Sequence, residues 1–134
     1  MNEQHEVIPS ILLIEQDDET RPLLRENLLK QGYRVIMAWD EEDAIDRTRD
    51  GRESPSLILI NQFKFTNIES VDMGRRIRQH AGFSIQIPIV VIADKFGAEL
   101  EGENVKVNGN EYVSYPEDAQ QLMNLLRTLC KKLP

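Results

Sequence analysis

Leu57-Ile58-Leu59-Ile60-Asn61 is the stretch on which the fold turns. Four consecutive apolar residues, two of them β-branched, follow Pro55-Ser56 and stop at a polar amide, the pattern of a short strand buried on both faces. Its last residue stands at the carboxyl end of the strand, where ligands bind and chemistry is done in open α/β sheets. Residue 61 is therefore the most informative single position. An asparagine there donates and accepts hydrogen bonds, but it is a negligible nucleophile and a poor ligand for a hard cation.

Working outward, Ile11 to Ile14 is an apolar run that ends in Glu15-Gln16-Asp17-Asp18, which supplies a strand end and a helix cap together. Pro22 fits only the first turn of the helix after it. That helix is expected to begin between Asp18 and Thr20, to run to Gln31 with Leu24 and Leu28 on one face, and to stop at Gly32. Tyr33 to Trp39 predicts a second strand, and Asp40 caps a short helix with Ala44, Ile45 and Thr48 inward. A turn over Gly51 to Ser56 leads to the central strand. Gln62 to Ser70 reads as a polar loop carrying Phe63 and Phe65, and Val71 to His80 as a third helix weakened by Gly74. Ile87 to Ile92 is a fourth strand. Asp94 to Asn110, with Gly97, Gly102 and Gly109, predicts a short or irregular fourth helix. Glu111 to Ser114 is a fifth strand, and Tyr115-Pro116 opens a last helix. There Ala119, Leu122, Met123, Leu126, Leu129, Cys130 and Leu133 form a stripe, with Leu125 lying off it.

Strand and helix thus alternate five times. The expected fold is a doubly wound five-stranded parallel sheet of order 2-1-3-4-5, with its switch point between the first and third strands. Residues 15–18 and 61 converge at that crevice, with Ala93 and Tyr115 at the neighbouring strand ends. Residues 1–9 are expected to be a flexible arm and 10–134 a single domain. No glycine-rich phosphate loop comes after the first strand, which argues against a nucleotide site.

With 16 Lys and Arg against 23 Asp and Glu the net charge is −7, which disfavours nucleic acid and anionic membranes as partners. The local exception, Arg75, Arg76 and Arg78, reads as a solvated helix face. A single cysteine, Cys130, excludes an internal disulfide and is expected to pack as a small hydrophobe. His5 and His80 have no partners at ligand spacing and read as surface residues. Without a basic-then-apolar leader or an apolar run of membrane length, a cytoplasmic location is expected.

These blocks, taken in order, resemble the receiver domain of bacterial two-component response regulators from Ser10 to Leu133. The resemblance rests on Ile11 to Asp17 with Arg21, Pro55 to Asn61, Ile87 to Ile92, and Tyr112-Val113-Ser114-Tyr115-Pro116. Active receivers carry two adjacent acids after the first strand, an acceptor aspartate, a Ser or Thr, and a Lys before proline. The acceptor attacks phosphorus, a neighbouring acid and the acceptor hold Mg²⁺, and the hydroxyl and ammonium bind phosphoryl oxygens. The resemblance puts Glu15, Gln16, Asn61, Ala93 and Tyr115 at those positions, and Glu15 alone is retained in kind. It also implies a switch aromatic at Tyr112 and a cis peptide bond at Tyr115-Pro116.

The resemblance and its departures together imply a pseudo-receiver, degenerate at its phosphorylation site. It would be a non-enzymatic module of two-component or phosphorelay signalling that acts by phosphorylation-independent protein–protein interaction. Its crevice would be a neutral hydrogen-bonding cluster of Asn61 and the Tyr115 hydroxyl. No catalytic residue, cofactor or metal is expected. The partner is a signalling protein or a second copy, with Tyr112 and Leu125 as candidate interface residues. Asp17 and Asp18 read as helix-capping residues in preference to a surviving metal pair with Glu15. Two rivals are an atypical receiver that still binds metal or a phosphoryl donor, and a small-ligand binder of flavodoxin type.

Overall fold

The computed structural model describes residues 8–49 and 54–131. The expectations for the N-terminal arm, His5, Leu133 and the start of the Gly51–Ser56 turn lie outside them. Its elements are β1 (Ser10–Glu15), α1 (Thr20–Lys30), β2 (Arg34–Ala38), α2 (Glu41–Thr48), β3 (Leu57–Asn61), α3 (Asn67–His80), β4 (Ile89–Ile92), β5 (Asn104–Asn108), β6 (Glu111–Ser114) and α4 (Ala119–Lys131). The strands form one sheet of order β2-β1-β3-β4-β6-β5.

The central strands alternate between two cores, as a sheet covered on both faces must. Leu12, Ile14, Ile58 and Ile60 face Ala44 of α2 and Val71, Met73 and Ile77 of α3. On the other face Ile11, Leu13, Leu57 and Leu59 meet Leu28 of α1 and Leu122, Met123, Leu126, Leu129 and Cys130 of α4. Gly74 of α3 has a packing role: a Cβ there would stand 2.7 Å from Cγ2 of Ile89. The helix lies so close to β4 that no side chain fits between them.

Two expectations need correction. The sheet has six strands and is mixed, since β5 runs antiparallel to β6 at the edge. No fourth crossover helix forms between β4 and β6. The segment after β4 makes tight turns, with the Leu100 amide donating to the Gly97 carbonyl at 3.0 Å, and then extends as β5. Three glycines oppose a helix there, whereas Val105 and Val107 alternate with polar residues and Asn108-Gly109-Asn110 supplies a tight hairpin turn with Gly109 at positive φ. The second correction is that α3 begins at Asn67, inside the stretch read as loop. Thr66 accepts from the Glu69 amide at 3.1 Å and Glu69 accepts from the Thr66 amide at 2.9 Å, a reciprocal capping box.

Candidate functional site

The crevice is built by register. Glu15 and Asn61 are direct partners in the parallel β1–β3 pair, so their side chains leave the same end of the sheet side by side. The Asn61 side-chain amide donates to Glu15 Oε1, and the Asp17 backbone amide donates to Oε2 at 3.2 Å. Glu15 is buried, with 1% of its surface exposed. Burial is the dominant influence on its carboxyl and raises its pKa, against the lowering effect of those two hydrogen bonds.

Neighbouring acids are committed to local structure. Asp17 accepts from the Thr20 amide at 2.8 Å and from its hydroxyl, and these bonds hold its pKa below the usual aspartate value. Asp18 pairs with Arg21, whose other nitrogen donates to the Glu15 backbone carbonyl at 2.9 Å. The same guanidinium lies 5.7 Å from the centroid of the Trp39 ring. Capping is thus the observed use of Asp17. Among the described residues no three His, Cys, Asp or Glu side chains are grouped as a metal would require.

Gln16 and Ala93 lie beside this pair without entering its hydrogen bonds. Ala93 is buried at the end of β4, its amide donating to the Ser114 carbonyl at 2.9 Å. Tyr115 forms a second group. Its ring meets Phe96 edge to face at 5.3 Å, and its hydroxyl accepts from the Asn67 side chain at 3.5 Å. The expected neutral cluster of Asn61 and Tyr115 is therefore two groups, and the first contains a buried carboxyl. The Tyr115–Pro116 bond is trans, against the expectation of cis.

Tyr112 and Leu125 are both half-buried against the core shared by α1 and α4. Trp39, Phe63 and Phe65 are exposed on the loops around the crevice. The arginine cluster is solvated at Arg76 and in part at Arg75, but all three of its members are held in ion pairs and Arg78 is largely buried. Arg75 and Arg78 both bind the buried Glu111 carboxylate, with Arg78 Nη2 at 2.9 Å, and Arg76 takes both oxygens of Glu41 at 2.7 Å. Those partners are more than thirty residues away along the chain, beyond the reach of any local pattern.

No family model matches the chain. It is 29% identical over 125 residues to the transcriptional regulatory protein AfsQ1 of Streptomyces coelicolor, covering 93% of this chain and 52% of that protein. Against the transcriptional regulatory protein CpxR of Escherichia coli the identity is 25% over 123 residues, covering 91% and 49%. The chain spans about half the length of these curated relatives. Among solved structures, a response regulator from Thermotoga maritima superposes with a TM-score of 0.68 at 19% identity, covering 94% of this chain and all of that one. The receiver domain of a sensor histidine kinase from Pseudomonas aeruginosa, with magnesium coordinated in its active-site cleft, gives 0.65 at 19%, with coverage of 94% and 100%. Among the described residues no helix is long and apolar enough to cross a membrane. The sheet order through β4, the crevice between β1 and β3, and a likeness that runs along more than nine-tenths of the sequence agree: the chain has the receiver fold and is similar in sequence to regulators of the response-regulator type.

Proposed function

We propose that this receiver has lost its phosphoacceptor and signals by protein contact, without aspartyl phosphorylation. The observation that carries the reading is the Asn61 amide donating to Glu15. In a phosphorylatable crevice the side chain at that place must be a free carboxylate, able to attack phosphorus and to hold Mg²⁺. An amide does neither, and this one is already engaged. Its neighbours support the same conclusion. Ala93 has no hydroxyl and Tyr115 no ammonium to receive a phosphoryl oxygen, and Gln16 offers a neutral amide where a metal would favour an acid. The signal would then be carried by contacts of the surface with a protein partner.

A two-dimensional amide NMR titration of the full chain with Mg²⁺ and beryllofluoride tests the reading. No saturable shift at Glu15, Asn61, Ala93 or Tyr115 is expected. Saturable shifts at those residues would show a crevice that still takes an ion and a phosphoryl-like group, and the rival reading of an atypical, ligand-responsive receiver would replace this one.

A further inference from the structure

We propose that Asn108 is a modification site: in the native chain its side-chain amide is lost to attack by the Gly109 backbone nitrogen, leaving aspartate or isoaspartate at the tip of the β5–β6 hairpin. The inference goes beyond the proposed function and does not depend on it.

Attack on a side-chain amide by the nitrogen of the next residue is intramolecular, so its rate turns on how closely and how freely the two groups meet. Asn108 is the one asparagine in the chain that is followed by glycine. Glycine has no side chain to obstruct a five-membered ring, and its backbone reaches conformations closed to other residues. Gly109 shows both properties. Its φ is +26°, and a Cβ built there would meet nothing within 4 Å among the described residues. The Gly109 amide donates to Asn108 Oδ1 at 2.9 Å, which holds the nitrogen beside the carboxamide. Asn108 is exposed to solvent, and among the described residues its side chain makes no other hydrogen bond.

Other asparagines lack these conditions. Asn61 is followed by Gln62, and its amide is held by the buried Glu15. Asn104 precedes a β-branched valine, and its Oδ1 accepts from Ser114 at 2.8 Å and from Gln121 at 2.9 Å. The residues after Asn27 and Asn124 lie within α1 and α4, where their amides are committed to carbonyls one turn back. The amide that keeps the crevice neutral is thus protected, and the hairpin amide is open to attack.

The step balances without oxidant or reductant. Hydroxide takes the Gly109 amide proton, the nitrogen bonds to Asn108 Cγ, and the Cγ–Nδ2 bond breaks as water protonates the departing ammonia. The cyclic imide then takes up water. Opening between Cγ and the Gly109 nitrogen gives aspartate. Opening between the Asn108 carbonyl carbon and that nitrogen gives isoaspartate, in which the main chain runs through the side-chain methylene. Either product adds a negative charge to a chain already at −7. Isoaspartate also lengthens the backbone where Asn108 is in register with Glu111, next to the shift in β5–β6 pairing between Lys106 and Asn108. The edge position of β5, with all five residues exposed, leaves room for that change.

Incubation of the folded full chain in mildly alkaline buffer, followed by peptide mass spectrometry, tests the proposal. The mass gain of amide-to-acid conversion is expected at Asn108, at least about tenfold faster than at any other asparagine. Chromatography should split the converted peptide into aspartyl and isoaspartyl forms. The rate should rise with pH, because the attacking nitrogen must first lose its proton. Asp50-Gly51 can form the same imide, but reopening it restores the original mass and leaves the readout clean. Asn108→Gln, whose longer side chain needs a larger ring, should keep the wild-type circular dichroism and show no gain at this position. A folded chain that keeps Asn108 intact while the urea-unfolded chain loses it would show that the turn protects the residue, and would overturn the proposal. Faster conversion at Asn61, or a product that is aspartyl alone, the mark of direct hydrolysis without the imide, would overturn it as well.

Discussion

The side-chain amide of Asn61 donates to the buried carboxylate of Glu15, joining the ends of β1 and β3 at the switch point of the sheet. An ionised acid at 1% exposure loses most of its hydration, and the Asn61 amide and the Asp17 amide replace part of it. The pair is thus a structural unit, and changes to either member should be read first in stability.

Asn61→Asp is the most direct change. It replaces a donor with a second acid against Glu15, creating like-charge repulsion and leaving an acceptor unpaired. In metal-free buffer near neutral pH the variant should lose about 1–3 kcal/mol, seen as a lower melting temperature. Added Mg²⁺ should recover part of the loss in the variant and leave the wild type unmoved. A clear rise in melting temperature without metal would contradict the account.

Glu15→Gln probes the other member. Burial raises the Glu15 pKa above the ordinary value of 4.5, so the ionised form is disfavoured by folding. Its cost is present above the folded pKa and disappears as the pH falls toward the unfolded value. Glutamine is neutral throughout, and Asn61 can turn its amide to donate or accept. At pH 8 the variant should melt at the same temperature as the wild type or about 2–4 °C above it. Thermal scans should show the difference closing as the pH is lowered toward 4.5. A variant less stable at pH 8 than at pH 5, each relative to wild type, would mean that the ionised carboxylate is the favoured form.

The range of each physical cause decides how much of this was legible in the sequence. The runs at Ile11–Ile14 and Leu57–Ile60 declare buried strands because burial on both faces leaves no polar positions. Asp40 declares a helix start because its cap bond to the Asp43 amide spans three residues. Two local signals were present and outweighed. Thr66 and Glu69 have capping-box spacing, masked by their polar neighbours. Asn108-Gly109 between alternating residues is a hairpin signal, obscured by the crossover helix expected between two parallel strands. Other features were beyond local reading. Arg75 and Arg78 converge on Glu111 only because α3 packs against the sheet, and nothing in the sequence places Asn61 against Glu15 except the topology itself.

Glu111 should be among the most sensitive charged positions. It is buried, and hydrogen bonds from Arg75 lead the influences that hold its pKa below the ordinary 4.5, ahead of those from Arg78. Glu111→Gln keeps the shape and removes the charge, leaving the largely buried Arg78 without a counterion. A loss of about 2–4 kcal/mol at pH 7 is expected in urea unfolding. Because the folded pKa is depressed, the contribution is full above the unfolded value and is lost as the pH falls through the folded one. The deficit of the variant should therefore be constant from pH 7 to about pH 5 and shrink in more acidic buffer. A deficit that is unchanged in strong acid would assign the effect to packing and not to the ion pairs.

Gly74→Ala sets two local rules against each other. In a helix interior alanine is favoured over glycine by about 1 kcal/mol, so propensity alone predicts a more stable protein. The added Cβ, however, would meet Ile89 Cγ2 at 2.7 Å and Cδ1 at 3.0 Å, and Ile60 Cδ1 at 3.2 Å. These are branched side chains in the centre of a filled core, with no free volume to receive them. Overpacking of this kind costs about 1–3 kcal/mol, enough to reverse the sign. Chemical denaturation should show net destabilisation of Gly74→Ala, and Ile89→Val, which removes one of the clashing methyl groups, should recover part of it in the double variant. If Gly74→Ala is more stable than wild type, α3 can move off β4, and the close approach is not a requirement of the fold.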